Sequence, residues 1–174
     1  MSDRSAVVLK VTLDDPFGRA PDKPYRVLAV PGEWSLYDLA HLIVDSFDFD
    51  FDHMFGFYNN LRNYAKSTEG YEYFSDIGEG NEFGSVTETS VLSVFPEKGK
   101  KMLFLFDYGD HWCFTIKVED VQDAEEFEDL PAVVKRVGEA PLQYGDMVDW
   151  DDEEDWSEDW DDDDWDYDWM EDDE

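Results

Sequence analysis

Hydrophobic and polar positions along the chain switch between a two-residue and a 3.6-residue period, and the switches mark the elements. Ala6 to Leu13 (AVVLKVTL) is rich in β-branched residues and predicts a first strand. A loop punctuated by Pro16, Gly18 and Pro21 follows, then a second strand over Pro24 to Val30, stopped by Pro31-Gly32. Ser35 reads as a helix N-cap, with Asp38 in the reciprocal position of a capping box. Leu36, Leu39, Ala40, Ile43, Val44 and Phe47 then share one face at helical spacing, which predicts an amphipathic helix to about Phe47. Two strands followed by such a helix imply a sheet with the helix packed across it.

Beyond the helix, Met54 to Tyr58 reads as a strand, whereas 59–84 is polar and glycine-dotted. Its aromatic residues follow no period, so a long loop or insertion is expected there rather than an element. Ser90 to Phe95 fits a short helix or an edge strand. Met102 to Tyr108 is an almost unbroken apolar run and His111 to Val118 alternates, with Gly109-Asp110 between them. That combination predicts a hairpin, because primed turns need positive φ and glycine adopts it without steric cost. A two-residue loop would set Asp107 opposite Trp112, Phe106 opposite Cys113, Leu105 opposite Phe114 and Leu103 opposite Ile116. The core face would then carry Leu103, Leu105, Trp112, Phe114 and Ile116, with Asp107 at its rim. Ala132 to Val137 fits a short strand or a last helical turn, and the domain closes near Gly145. The fold class is α+β: a mixed, largely antiparallel sheet with an amphipathic helix across one face.

The hairpin also carries a resemblance. Phe106-Asp107-Tyr108-Gly109-Asp110-His111-Trp112 resembles the Phe/Tyr-Asp-Phe/Tyr-Gly-Asp-x-Trp signature of the plasmid pRiA4b ORF-3-like family. Pro24 to Leu28 with Pro31-Gly32, the helix from Leu36, His53 to Phe57, and Leu130-Pro131 with Val137 to Tyr144 resemble further family segments in the same order. The resemblance spans roughly residues 6–146 and implies a compact α+β domain found in bacteria, archaea and mobile elements, without an assigned activity. Its signature residues here are His53, Asp107, Gly109, Asp110 and Trp112. Some relatives carry resolvase labels, so an accessory role of a mobile element acting on DNA is the alternative function.

Charge changes the picture from about Asp146 onward. The chain of 174 residues has a formal net charge of -33. Residues 146–174 hold 19 acidic side chains and no Lys or Arg, which leaves 27 acids against 13 bases in residues 1–145. Such charge density repels itself, so the reading is a domain over residues 1–145 and a disordered, acidic low-complexity tail over 146–174. The tail is unusual in holding five of the seven tryptophans: Trp150, Trp156, Trp160, Trp165 and Trp169. Carboxylates alternating with indoles imitate phosphates alternating with bases, or suit a basic and partly apolar protein groove. These five are the candidate binding residues, and a basic or nucleic-acid-binding protein is the implied partner. A plain solubilising tail is the competing reading, although it gains nothing from exposed indoles.

The same charge argues against direct binding of DNA, since the clusters Lys98/Lys100/Lys101 and Lys135/Arg136 are too few to track phosphates. No stretch reaches the ~20 apolar residues of a membrane span, and a cytoplasmic location is the default. A single cysteine, Cys113, excludes an internal disulfide. His53, His111, Asp107 and Asp110 are the candidates for acid–base or metal chemistry. Each has a structural explanation as well: Asp110 as a turn residue, Asp107 as an acceptor for a turn or for a tryptophan N–H. His41 lies in the helix. No nucleophile, phosphate-loop, zinc or cofactor motif occurs, and no catalytic residue, metal or cofactor is assigned. A non-enzymatic interaction protein is the expected function.

Overall fold

The computed structural model describes residues 4–73, 77 and 83–141. Residues 142–174 fall in a separate unit from Met1–Pro141. The expected tail, with Trp150, Trp156, Trp160, Trp165 and Trp169, lies outside the described residues.

Seven strands form one sheet: β1 (Ser5–Leu13), β2 (Tyr25–Pro31), β3 (Phe55–Tyr58), β4 (Gly70–Glu72), β5 (Lys101–Phe106), β6 (Trp112–Asp123) and β7 (Ala132–Val137). Their order across the sheet is β4-β3-β5-β6-β1-β2-β7, and all six neighbouring pairs are antiparallel. Among the described residues one long helix, α1 (Leu36–Ser46), covers one face, and a single-turn helix, α2 (Val91–Val94), lies in the connection to β5. The fold is thus α+β, as the periodicities imply.

The first turn of α1 is fixed as expected. Asp38 N donates to Ser35 Oγ (3.1 Å) and Ser35 N donates to Asp38 Oδ2 (3.3 Å), so the shorter carboxylate completes the capping box. Leu36, Leu39, Ala40, Ile43 and Val44 are buried against the sheet together with Val7, Leu9, Leu28, Phe104, Phe114 and Ile116. The far end of α1 is tied down by arginines. Arg26 Nε and Arg136 Nη1 both donate to the Ser46 carbonyl at 2.8 Å, where the helix leaves its last carbonyls without intrahelical partners. Arg26 is 3% exposed and lies over Phe47, 4.5 Å from its ring centre.

Two expectations are corrected. The hairpin loop has five residues, Asp107 to His111, so Phe106 pairs with Trp112, Leu105 with Cys113, Phe104 with Phe114 and Met102 with Ile116. A one-residue change of register sends each side chain to the other face. The core therefore takes Met102, Phe104 and Phe106 from β5, while Leu103 and Leu105 face away from it. Positive φ falls at Asp107 (70°) and His111 (56°), not at Gly109. The second correction concerns 59–84. Gly70–Glu72 is a strand that pairs with β3, preceded by a 3-10 turn at Tyr64–Lys66. A three-residue strand containing glycine has too short a run for any period to show.

Candidate functional site

The signature residues converge on the β5–β6 loop, and most of their polar groups are committed to holding it. Asp107 is 7% exposed. Its Oδ1 accepts from Gly109 N (3.0 Å) and Asp110 N (3.1 Å), and its own carbonyl accepts from His111 N (2.6 Å). Its amide donates to the Met54 carbonyl (2.8 Å), which anchors the loop to the entry of β3. The carboxylate thus works as the internal cap of a loop whose two ends sit in left-handed backbone. Asp107 does not receive the indole proton of Trp112: Nε1 of Trp112 is buried without a partner among the described residues. What stabilises that indole is its face. Phe49 packs at 4.8 Å between ring centres, and the Arg19 guanidinium lies 3.6 Å from the ring centre on a cation–π contact.

Arg19 is a site residue that the sequence did not disclose. It grips Asp15 through Nε (2.8 Å) and Nη2 (2.7 Å), and Nη2 also donates to the Asp110 carbonyl (2.8 Å). Burial pushes the Asp15 carboxyl up, but the hydrogen bonds from Arg19 outweigh it and hold the group below its usual range. The fork fastens the β1–β2 loop to the signature loop. Asp15 and Arg19 are four residues apart in a Pro/Gly-rich loop, and nothing in that spacing announces a partner 91 residues away.

Of the acid–base candidates, His53 and Asp107 bring their side chains together. His53 Nε2 lies 3.4 Å from Asp107 Oδ2, and Nδ1 lies 2.6 Å from Asp52 Oδ1. The ring therefore has a carboxylate near both nitrogens. His111 lies apart, against Phe17 and Tyr64. His41 packs on Phe51 at 4.8 Å. Among the described residues no group of three or more His, Cys, Asp or Glu could hold a metal ion.

Two clefts flank this loop. On the α1 side, Tyr37, Phe51, Asp52, His53, Met54, Phe55 and Tyr73 line a cleft of about 380 Å³. Its aromatic rings lock together: Tyr37–Phe51 and Tyr37–Tyr73 at 5.4 Å, Phe51–Phe55 at 5.2 Å. Tyr37 also lines a smaller hollow, about 220 Å³, with Trp34, Asp38, His41, Leu42 and Asp45. The result is aromatic walls rimmed by the carboxylates of Asp38, Asp45 and Asp52. On the other side, Phe17, Leu61, Arg62, Tyr64, Leu103, His111 and Cys113 border a cleft of about 680 Å³. Burial, helped by Asp15 and Asp14, pushes the Cys113 thiol up to about 11, so it stays protonated at neutral pH and is a poor nucleophile.

The model of the family described as plasmid pRiA4b ORF-3-like protein matches residues 5–174. A crystal structure of a protein of unknown function, MM3350, from Methanosarcina mazei Go1 has a similar fold. Its TM-score is 0.65 at 17% identity, over 87% of this chain and 80% of that one. No curated protein matches the chain. The chain belongs to the plasmid pRiA4b ORF-3-like family.

Proposed function

We propose that this protein is a non-enzymatic interaction protein that engages a basic partner. The observation that carries the reading is the cleft beside α1, where Tyr37, Phe51 and Tyr73 present rings and Asp52 a carboxylate, next to a hollow that shares Tyr37 and holds Asp38 and Asp45. Aromatic faces attract lysine and arginine heads, and carboxylates at the rim steer them in. The sequence of residues 146–174 repeats the two ingredients, with five tryptophans among 19 acids, and is the second element engaging the partner. The signature groups favour this reading over catalysis. Asp107 is occupied as a loop cap, and His53 is held between two carboxylates.

A DNA-directed role draws less support. Among the sequence clusters of bases, Lys100 is taken up by Glu69 and the Val94 carbonyl, and Arg136 by the Ser46 carbonyl. No helix of the described residues is long and apolar enough to cross a membrane.

The test is titration of the full chain with a labelled hexalysine peptide at low and moderate salt. Tyr37→Ala is expected to weaken binding by about 0.5–2 kcal/mol, the range of a cation–π contact. Asp52→Asn is expected to slow association and flatten its salt dependence. Replacing Trp156, Trp160, Trp165 and Trp169 by Ala is expected to speed dissociation. Hexalysine binding that is unaltered by all three sets of changes overturns the reading.

A further inference from the structure

The face of the sheet turned away from α1 carries a row of lysines that the sequence scatters over 126 positions. Strand register aligns them: Lys101 of β5 pairs with Lys117 of β6, and Lys117 pairs with Lys10 of β1. Lys10 pairs with Val27 of β2, and Val27 pairs with Lys135 of β7. Four lysine positions thus lie in one line across five strands. At ~4.8 Å between strands the line is about 19 Å long, the length of roughly six residues of extended peptide.

Three features set this row apart from an ordinary solvated face. Like charges directly opposite one another destabilise a sheet, and the row contains two such pairs in succession. Among the described residues none of the four lysines makes an ion pair, although Arg4, Arg19, Lys23 and Lys100 all do. The next acids along β6, Glu119 and Asp120, come where the register shifts at Val8/Leu9, and Asp120 already accepts from Val121 N and Gln122 Nε2. Finally, Val27 lies in the row between Lys10 and Lys135, and the Tyr25 ring lies beside both cations. Lys10 Nζ lies 4.3 Å from the ring centre of Tyr25, and Lys135 Nζ lies 6.0 Å from it.

We infer that this row is a docking surface for an extended, carboxylate-rich peptide of a partner protein. Four cations with Val27 and the Tyr25 ring among them match carboxylates interspersed with apolar side chains. The row holds no arginine fork of the kind that grips phosphate bidentately. Residues 1–145 also carry 27 acids against 13 bases, which repels duplex DNA, with one charge per ~1.7 Å, more strongly than a peptide whose carboxylates are interspersed with apolar residues. The surface lies on the opposite side of the sheet from the cleft assigned to a basic partner, so it adds a second specificity to the same domain.

The experiment is fluorescence anisotropy of labelled hexaglutamate against the full chain at low salt, with a labelled dodecathymidylate strand as the comparison. The chain's own carboxylates are present in wild type and variants alike, so differences between variants isolate the row. The triple variant Lys10→Gln/Lys117→Gln/Lys135→Gln is expected to bind hexaglutamate at least about tenfold more weakly and to lose most of the salt dependence. A control with two lysines away from the row, Lys23→Gln/Lys98→Gln, is expected to bind as wild type does. Circular dichroism of the triple variant confirms that the fold is kept. The inference is overturned if wild type does not bind hexaglutamate, if the triple variant binds it equally well, or if the control loses as much as the triple variant. It is equally overturned if the oligonucleotide binds more tightly than hexaglutamate with the same dependence on the row.

Discussion

Leu103 and Phe104 are adjacent in β5 and both are buried, yet they serve opposite faces of the sheet with different physics. Phe104 enters the core beneath α1, within 4.9 Å of Phe57 and 5.6 Å of Phe114 between ring centres. Leu103 joins a small cluster with Tyr58 and Leu105, packed by Tyr64, Phe83, Tyr108 and Cys113. That cluster holds a hydrogen-bond chain, with Tyr58 Oη donating to Glu72 Oε2 and meeting Tyr108 Oη, each at 2.5 Å. Gly56 has to stay bare beside it, because a Cβ there would lie 2.7 Å from both phenol oxygens. The covered face is thus held by apolar area that a helix seals, whereas the opposite face has a small cluster with a phenol chain at one end and a lysine row at the other. Stability resides mainly on one side of the sheet, and unexplained charge on the other.

The largest effect should break this contrast if the contrast is wrong. Phe104→Ala removes an aromatic side chain from the sealed core and is expected to cost about 3–5 kcal/mol. Leu103→Ala, one residue away, is expected to fall at the low end of the ~2–5 kcal/mol seen for buried leucines, because the small cluster can relax toward solvent. Denaturant midpoints of the two variants at equal m-value decide between them. Equal losses would mean that the two faces are packed alike.

Next in size is Tyr58→Phe, which removes the centre of the phenol chain. A hydrogen bond to a charged group contributes about 1.5–3 kcal/mol, and the loss is expected in that range. pH sharpens the test. Burial, then the bond to Glu72, raises the Tyr58 pKa, and burial raises that of Tyr108. Tyr71 is pushed up to about 12, again chiefly by burial. A phenol whose folded pKa exceeds its unfolded value of ~10 resists ionisation only when folded. Its contribution is complete below pH ~10 and is lost as the pH climbs through the folded value. Wild type is therefore expected to lose stability steeply between pH 10 and 12, and Tyr58→Phe less steeply. Parallel curves would remove Tyr58 from the account.

Asp107→Leu comes third, with an expected cost of about 1–3 kcal/mol, as the amides of Gly109 and Asp110 lose their acceptor. Asp107→Asn keeps an oxygen at the Oδ1 position and is expected to stay near wild type. An Asn variant as unstable as the Leu variant would show that the His53 contact at 3.4 Å, rather than the loop cap, is what matters.

These residues also show where the sequence could be read. α1 was legible because its signal is local: Ser35, Asp38 and a stripe of six apolar residues lie within one window. The hairpin was legible in kind but not in register. Gly109-Asp110 suggested a two-residue loop, whereas Asp107 and His111 take the left-handed conformations and widen the loop to five. A one-residue error then moved Leu103 and Leu105 to the wrong face while leaving Trp112, Phe114 and Ile116 on the right one. The signature residues were visible as a string, but the Arg19 fork and the cleft of Tyr37, Phe51 and Tyr73 depend on long-range pairing that no local period encodes. The lysine row was hidden for the same reason. Its members look like isolated surface residues until register aligns them.

The smallest expected effect bears most directly on that row. Lys117 stands between Lys101 and Lys10 with no carboxylate partner among the described residues, so the like charges beside it are a cost. Lys117→Gln is expected to stabilise the chain by roughly 0.2–1 kcal/mol at low salt, the scale of a cross-strand pair. The gain should fade as salt approaches 1 M and the screening length shrinks to ~3 Å. Thermal unfolding at two ionic strengths reads both quantities. A destabilised variant would mean that the ammonium already has a compensating contact, and the row would then be a structural ladder rather than an open surface. A stabilised variant that has also lost hexaglutamate binding would identify a side chain that weakens the fold and serves recognition, which is the pattern of a functional residue on an otherwise quiet face.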